Sequence, residues 1–588
     1  MCGIAGKIYF GGEVDKDQLN KLSEAIAHRG PDDFGTFISP DKRVGFVHRR
    51  LAIIDLSDAG HQPMSYLNRY WITFNGEIYN YVELRSKLMK LGYRFKSHSD
   101  TEVILAMYDK YKEQCVTHLR GMFAFAIYDS QRQIVFMARD RVGKKPLKYY
   151  LDSQVYIFAS ELKAILTQKE VSTQPDLEDI QAYLNWGYVP SPKTGFKNIY
   201  KLESGHYMLL NLTTRQLTKQ CYWDVDYSQK LKLSENEWSD KILDLLEKST
   251  KLRMVADVPV GAFLSGGIDS SSIVAMMTKL SNKPVKTFTV SYPGDILDEQ
   301  KYAQQVSDMF KTDHTVLNAT PQSAEILPEI ASIYEEPFGD SSALVTYMVS
   351  KLARKHVKVI LNGDGGDENF AGYNHHIKLQ RDYQLYPVSK IIPFGKYPNS
   401  MRKGVFEKYI SYKSIFPNIQ AQDIYRQAAI NSGVNDPRDQ ALYADFKYFL
   451  PDDLLAKVDM ASMNVALECR SPYLDRELTK LAAQIPFDLK VKDGETKYIL
   501  KKAMTRVLPK NIVYRPKMGF SVPLSRWFTK ELNQYTKSIL ITPKNHIDGF
   551  VSQDEIKRML EEHTEVNDFG PKLWLLLMLE LWYRSYFN

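Results

Sequence analysis

Residues 258–277 read VPVGAFLSGGIDSSSIVAMM, a short apolar strand, a glycine-rich turn and a helix. The turn Ser265-Gly266-Gly267-Ile268-Asp269-Ser270 lets backbone N–H groups approach a phosphate, and the helix N-terminus that follows favours an anion. GxxxxGK[ST] is absent, so no P-loop lysine is available and a metal must carry more of the charge. Asp269 lies where it could hold one. Outward from this stretch the same grammar repeats. VKTFTVSY (285–292), DHTVL (313–317) and VKVILN (357–362) are strand-like runs separated by helical segments. Such alternation predicts a parallel, doubly wound sheet, whose ligands bind beyond the carboxyl ends of its strands. VKVILN runs into Gly363-Asp364-Gly365-Gly366-Asp367-Glu368. Three carboxylates on one turn repel without a counter-ion, and Mg²⁺ prefers one or two carboxylates plus phosphate oxygens. Asp269 and Asp367 are the expected ligands. From about Asp436 the chain reads mainly helical, and LWLLLMLELWY (573–583) reads as a buried helix, too short to span a bilayer.

The first third is different. VGFVHRRLAIIDL (44–56), YWITFNGEIY (70–79), GMFAFAIYD (121–129), QIVFMARDR (133–141) and YIFAS (156–160) are short strand-like runs. Helices are expected near Lys16–His28 and over Asp100–Tyr111. Strands grouped together with helices outside them predict an α+β layered domain. The polar stretch 211–237 separates the two grammars, and the division is placed between 212 and 213. With 588 residues, two large domains are expected. Net charge is 77 − 70 = +7 with both signs dispersed, so nothing calls for nucleic acid. Four scattered cysteines argue against a disulfide framework or structural zinc. The N-terminal residues lack a signal peptide's pattern, and a cytoplasmic location is expected.

Cys2 follows the initiator Met and precedes Gly3. Trimming of Met1 would leave a thiol and a free α-amine on one residue, so that the amine can act as base for its own nucleophile. Arg50, Asn75-Gly76-Glu77 and Ser99-Asp100 sit at predicted strand or helix ends. The Asn75 amide and Gly76 N–H could serve a developing oxyanion, an Arg can hold a carboxylate by a bidentate fork, and a carboxylate can hold an ammonium. Read singly, these are equally a surface Arg, a hairpin turn and a helix cap.

Taken together, MCGIAG (1–6), HRGPD (28–32), HRRLAIIDL (48–56), FNGEIYN (74–80), SDTEVIL (99–105) and RGMFAFAIYD (120–129) resemble the class II glutamine amidotransferases, most closely the asparagine synthetase family. SGGIDSS, GDGGDE, MNVALECRSPYLD (463–475), GETKYILKKAM (494–504) and RPKMGFSVPL (515–524) resemble the ATP-pyrophosphatase half of the same family. The resemblance implies an N-terminal-nucleophile αββα sandwich over 1–212 and an α/β ATP-pyrophosphatase domain with a helical C-terminal part over 213–588. It implies Cys2 as nucleophile, Asn75 and Gly76 as oxyanion hole, and Arg50, Leu51, Ile53, Asn75, Glu77 and Asp100 around glutamine. It places ATP against Leu264, Ser265, Gly266, Gly267, Asp269, Ser270, Val290 and Gly363, with Lys497 stabilising charge on the phosphates. Asp364 faces the acceptor, and Mg²⁺ lies on Asp269 and Asp367. The implied reaction releases ammonia from glutamine and passes it to a carboxylate activated as acyl-AMP. Aspartate is expected first as acceptor. EEPFGDSSALVTY (335–347) and Asp364 depart from the best-known branch, which carries an Arg-containing stretch and a Glu at those places, and this keeps a uronic acid of surface polysaccharide as the alternative. A catalytically silent regulatory paralogue is a remote third reading. Small-molecule substrates and a homodimer are implied; neither nucleic acid nor membrane is expected as a partner.

Overall fold

The structure is a computed structural model that describes residues 2–291, 298–318, 325–391, 404–518 and 522–587. Tyr292 of the expected strand VKTFTVSY and Gly519–Ser521 of RPKMGFSVPL lie outside the described residues.

Twelve strands build the first half: β1 (Gly3–Tyr9), β2 (Asp33–Ile38), β3 (Val44–Arg50), β4 (Met64–Tyr66), β5 (Tyr70–Ile78), β6 (Gly121–Asp129), β7 (Ile134–Arg139), β8 (Lys148–Leu151), β9 (Val155–Ala159), β10 (Ile199–Lys201), β11 (His206–Asn211) and β12 (Leu217–Cys221). They form two six-stranded antiparallel sheets, in the orders β10-β8-β9-β1-β3-β2 and β12-β11-β7-β6-β5-β4. The side-chain period of two explains the layering. Along β6, Ala124, Ala126 and Tyr128 face the opposing sheet and meet Ile4, Ile8 and Phe46. Phe123, Phe125 and Ile127 face outward and meet Val103, Ile104 and Met107 of the helix Asp100–Tyr111. The helix Lys16–Ala25 covers the outer face of the other sheet through Leu19 and Leu22. The layers are therefore helix, sheet, sheet, helix. The hairpin β11–β12 pairs Leu210 with Leu217, so the turn between them contains residues 212 and 213.

One expected strand is shorter than its apolar run. β3 stops at Arg50, and Leu51–Leu56 leave the sheet. The guanidinium of Arg50 donates to the carbonyls of Asp55 and Ser57, and Asp55 takes φ +54°, which curls the segment back on itself.

The second half holds β13 (Val260–Phe263), β14 (Lys286–Ser291), β15 (Asp313–Asn318), β16 (Val359–Leu361) and β17 (Glu468–Arg470). All pairings are parallel, in the order β15-β14-β13-β16-β17. The chain runs outward from β13 through β14 to β15, then returns to the other side of β13 as β16. The switch point lies between β13 and β16, where a ligand crevice forms. β17 is the exception within the helical tail; three residues, two of them charged, give no strand signal. The helix Gly570–Tyr586 is buried through Leu573–Tyr583, as expected. No described helix is long and apolar enough to cross a membrane.

Buried ion pairs join the halves. Arg29 spans Glu161 and Asp459, both at 2.7 Å, and Lys145 reaches Asp459 at 3.0 Å.

Candidate active sites

The first site sits at the ends of β1, β3 and β5. Pairing of Gly3 with Arg49 sets Cys2 beside Arg50. Cys2 is buried, and its backbone N–H donates to Asn75 Oδ1 at 3.0 Å. That bond leaves the Asn75 Nδ2 group buried with no partner, a donor free for an oxyanion. Gly76 has no room for a side chain: a Cβ would lie 2.1 Å from Met122 O. A cavity of about 30 Å³ is lined by Cys2, Arg50, Leu51, Ile53, Gly76, Glu77 and Asp100, among others. It thus gathers every residue expected around glutamine except Asn75, which borders it through Cys2.

The carboxylates of this site are unusual. Asp100 opens the helix that Ser99 caps, and its Oδ2 accepts from Ile78 N–H at 2.8 Å. Burial still pushes its carboxyl up to about 6. Glu77 is raised further, first by burial and then by Glu468, and its Oε2 has no hydrogen-bond partner. Burial also raises the Cys2 thiol. Behind Glu77 stands Arg470 of β17 at 3.4 Å, itself bound to Glu468 at 2.5 Å. The pocket around Cys2 is therefore walled by the other domain, through a strand not legible in the sequence.

The second site lies at the switch point. A cavity of about 820 Å³ is lined by Leu264, Ser265, Gly267, Asp269, Ser270, Gly363, Asp364, Asp367 and Lys497. Gly266 takes φ +72° and abuts Tyr302, where a Cβ would lie 2.5 Å from the backbone; it shapes the loop without lining the cavity. Val290 is also outside the lining, buried in the core, whereas Phe288 and Thr289 of the same strand reach the wall. Asp364 is held by Asn362 Nδ2 at 2.6 Å.

Lys497 bridges the two loops, 2.5 Å from Asp269 and 2.7 Å from Asp367. Lys517 adds a second cation to Asp367 at 2.6 Å. Burial pushes Asp367 up, but Lys497 and Lys517 overcome it and hold the carboxyl far below its usual range. Burial outweighs Lys497 at Asp269, whose carboxyl is raised. Asp269 Oδ1 is a buried carboxylate oxygen with no partner, which suits a hard cation. Glu368 is pushed up to about 7 by burial and by Asp367, and accepts from Tyr373. Arg515 and Lys517, both in the RPKM run, line the cavity. The motif was legible; their placement opposite the SGGIDS loop was not.

An asparagine synthase family model matches residues 241–584, and a glutamine amidotransferase domain model matches residues 1–223. "Asparagine synthetase [glutamine-hydrolyzing] 1" of Bacillus subtilis is 34% identical across 99% of this chain and 96% of its own length. "Putative asparagine synthetase [glutamine-hydrolyzing] 2" of Methanocaldococcus jannaschii is 42% identical across 65% of this chain and 77% of its own. "Amidase chry2" of Gibberella zeae is 26% identical, covering 94% of each.

Proposed function

The chain belongs to the asparagine synthase family, and from this premise we propose how its two sites divide the work of a glutamine-dependent amidotransferase. The Cys2 thiol attacks the glutamine amide carbon. Electrons move onto the carbonyl oxygen, which the Asn75 Nδ2 and Gly76 N–H groups stabilise, and ammonia leaves a thioester that water hydrolyses. The observation that carries this reading is the Cys2–Asn75 bond, which orients the orphan Nδ2 donor. Arg50 and Asp100 hold the two charged ends of glutamine, with Glu77, Leu51 and Ile53 around them.

At the second cavity an acceptor carboxylate attacks the α-phosphorus of ATP, and pyrophosphate leaves. Ammonia then displaces AMP from the acyl-adenylate to give an amide. The loop Ser265–Ser270 offers helix N–H groups to the phosphates, and Lys497 compensates the charge released. Asp269 and Asp367 would hold Mg²⁺, which supplies further neutralisation when bound. The reading carries a cytoplasmic setting, a homodimer and a domain division between residues 212 and 213.

L-Aspartate is the first acceptor of this reading, because the relatives are named asparagine synthetases. A uronic acid is the second, and one observation favours it: Asp340, Tyr373 and Phe449 line both the adenylation cavity and another large cavity beside it. Pyrophosphate release with glutamine, Mg·ATP and either aspartate or galacturonate decides the matter. Release with neither, beside intact glutamine hydrolysis, would sink the adenylation assignment.

A further inference from the structure

The turn Ser265–Ser270 has no lysine of its own to set beside a polyphosphate. The cations that line the adenylation cavity are Lys457, Lys497, Lys501, Arg515 and Lys517. The four lysines are each held at a carboxylate. Lys457 sits on Asp340 at 2.7 Å, Lys497 between Asp269 and Asp367, Lys501 on Glu495 at 3.0 Å, and Lys517 on Asp367 at 2.6 Å. Arg515 stands in a different place.

Its guanidinium lies against the turn itself. A Cβ on Gly267 would stand 3.3 Å from Arg515 Nη2, and Ser265 Oγ, a member of the turn, is equally close to that point. Gly267 caps the helix Ile268–Leu280, whose first N–H groups have no acceptor within the helix. An anion is favoured there before any side chain is counted. Arg515 adds a positive charge at the same spot.

The neighbouring helix fixes that charge. Glu299 caps the helix Gln300–Phe310 and accepts from Arg515 Nη2, while the guanidinium lies over the Tyr302 ring at 4.6 Å. The same helix props the turn from below, since a Cβ on Gly266 would meet the Tyr302 backbone at 2.5 Å. One helix therefore sets the glycine turn and aims the guanidinium over it. The Arg515 and Glu299 side chains are 7% and 8% exposed, so the cation is ordered before a ligand arrives and little rotamer freedom remains to be lost. A guanidinium carries its N–H donors in a planar fork that matches two phosphate oxygens.

We infer that Arg515 is a catalytic residue of the adenylation step, donating to the β- and γ-phosphate oxygens of ATP above the glycine turn. When an acceptor carboxylate oxygen bonds to the α-phosphorus, the bond from that phosphorus to the bridging oxygen breaks. Its electron pair becomes charge on the departing pyrophosphate. A donor already in place meets that charge without reorganising. The inference rests on the amidotransferase reading and deepens it.

Pyrophosphate release with glutamine, Mg·ATP and the responding acceptor tests it. Arg515→Gln should lower kcat about a hundredfold, weaken inhibition by added pyrophosphate at least about tenfold, and leave glutamine hydrolysis in place as the sign of a folded chain. Arg515→Lys keeps the charge without the fork or the stack, and should recover less than about a tenth of the parent rate. A purely structural pair would make its two halves equivalent, so Glu299→Gln discriminates. Burial already pushes the Glu299 carboxyl up with Arg515 beside it. Its amide should lower kcat only about threefold and keep pyrophosphate inhibition. Equal losses in the Glu299 and Arg515 variants, or unaltered pyrophosphate inhibition in Arg515→Gln, would overturn the assignment and leave the amidotransferase intact. No release from the parent enzyme with any acceptor would instead break the adenylation reading. Calorimetric titration with Mg·pyrophosphate then still reads Arg515: binding that Arg515→Gln weakens about tenfold upholds it, and equal binding ends it.

Discussion

The two sites of this chain differ by more than an order of magnitude in space, about 30 Å³ against about 820 Å³, and in whether any carboxylate is held ionised by neighbouring cations. Around Cys2, burial governs: the thiol, Glu77 and Asp100 are all pushed toward their neutral forms. At the second site burial still raises Asp269 and Glu368, but cations govern Asp367, which Lys497 and Lys517 keep ionised despite its burial. A small neutral amide needs a dry pocket, in which a few fixed donors act strongly on the charge that develops. A polyphosphate needs room and standing positive charge. The difference explains why antiparallel sheets, which can seal a strand end with neighbouring loops, carry one site, while a parallel sheet with its open crevice carries the other.

The comparison breaks most visibly at the nucleophile. Cys2→Ala should lower glutamine hydrolysis by at least about a thousandfold and leave ammonia-dependent amide formation intact, both read from product analysis. Parallel loss of the two activities would mean the sites are not separate. Next in size, Asp367→Asn removes the carboxylate that faces Lys497 and Lys517. Pyrophosphate release should fall about a hundredfold with basal glutamine hydrolysis preserved; release at the parent rate would remove Asp367 from the metal and phosphate machinery. The smallest effect sharpens the contrast. Asp100 has its carboxyl raised to about 6, so the neutral form persists to a higher pH than for an ordinary aspartate. If Asp100 holds the glutamine ammonium as proposed, that hold is complete above about pH 7 and fades below 6. KM for glutamine should rise about tenfold per pH unit there, and Asp100→Asn should flatten the profile at a high KM. A wild-type KM that stays level down to pH 5 would show that Asp100 does not bind the ammonium.

Local signals made most of this legible. The SGGIDS and GDGGDE turns announce themselves because glycine and acid clusters have few other uses at strand ends, and the alternation in β6 reads directly from its sequence. Leu51–Leu56 misled for the opposite reason: an apolar, β-branched run looks like strand until Arg50 claims its carbonyls. Arg470 behind Glu77 was out of reach because its strand has three residues and its partner stands 393 positions away. The cavity beside the adenylation site was equally hidden. Trp186, His375, Asp453 and Ser525 share no motif, and only the fold brings them to one wall.

The helix Gly570–Tyr586 has a further consequence. Tyr183 of the first half donates to the carbonyl of Leu575 at 2.9 Å, across 392 residues of chain, and Phe196 packs its ring against Trp582 and Phe587. On the ribosome the first half emerges long before that helix is made, and its apolar edge waits unpaired through the synthesis of nearly everything that follows. The half that liberates ammonia therefore completes its packing only when the half that consumes ammonia has been translated. Order of synthesis thereby ties maturation of the source to presence of the sink.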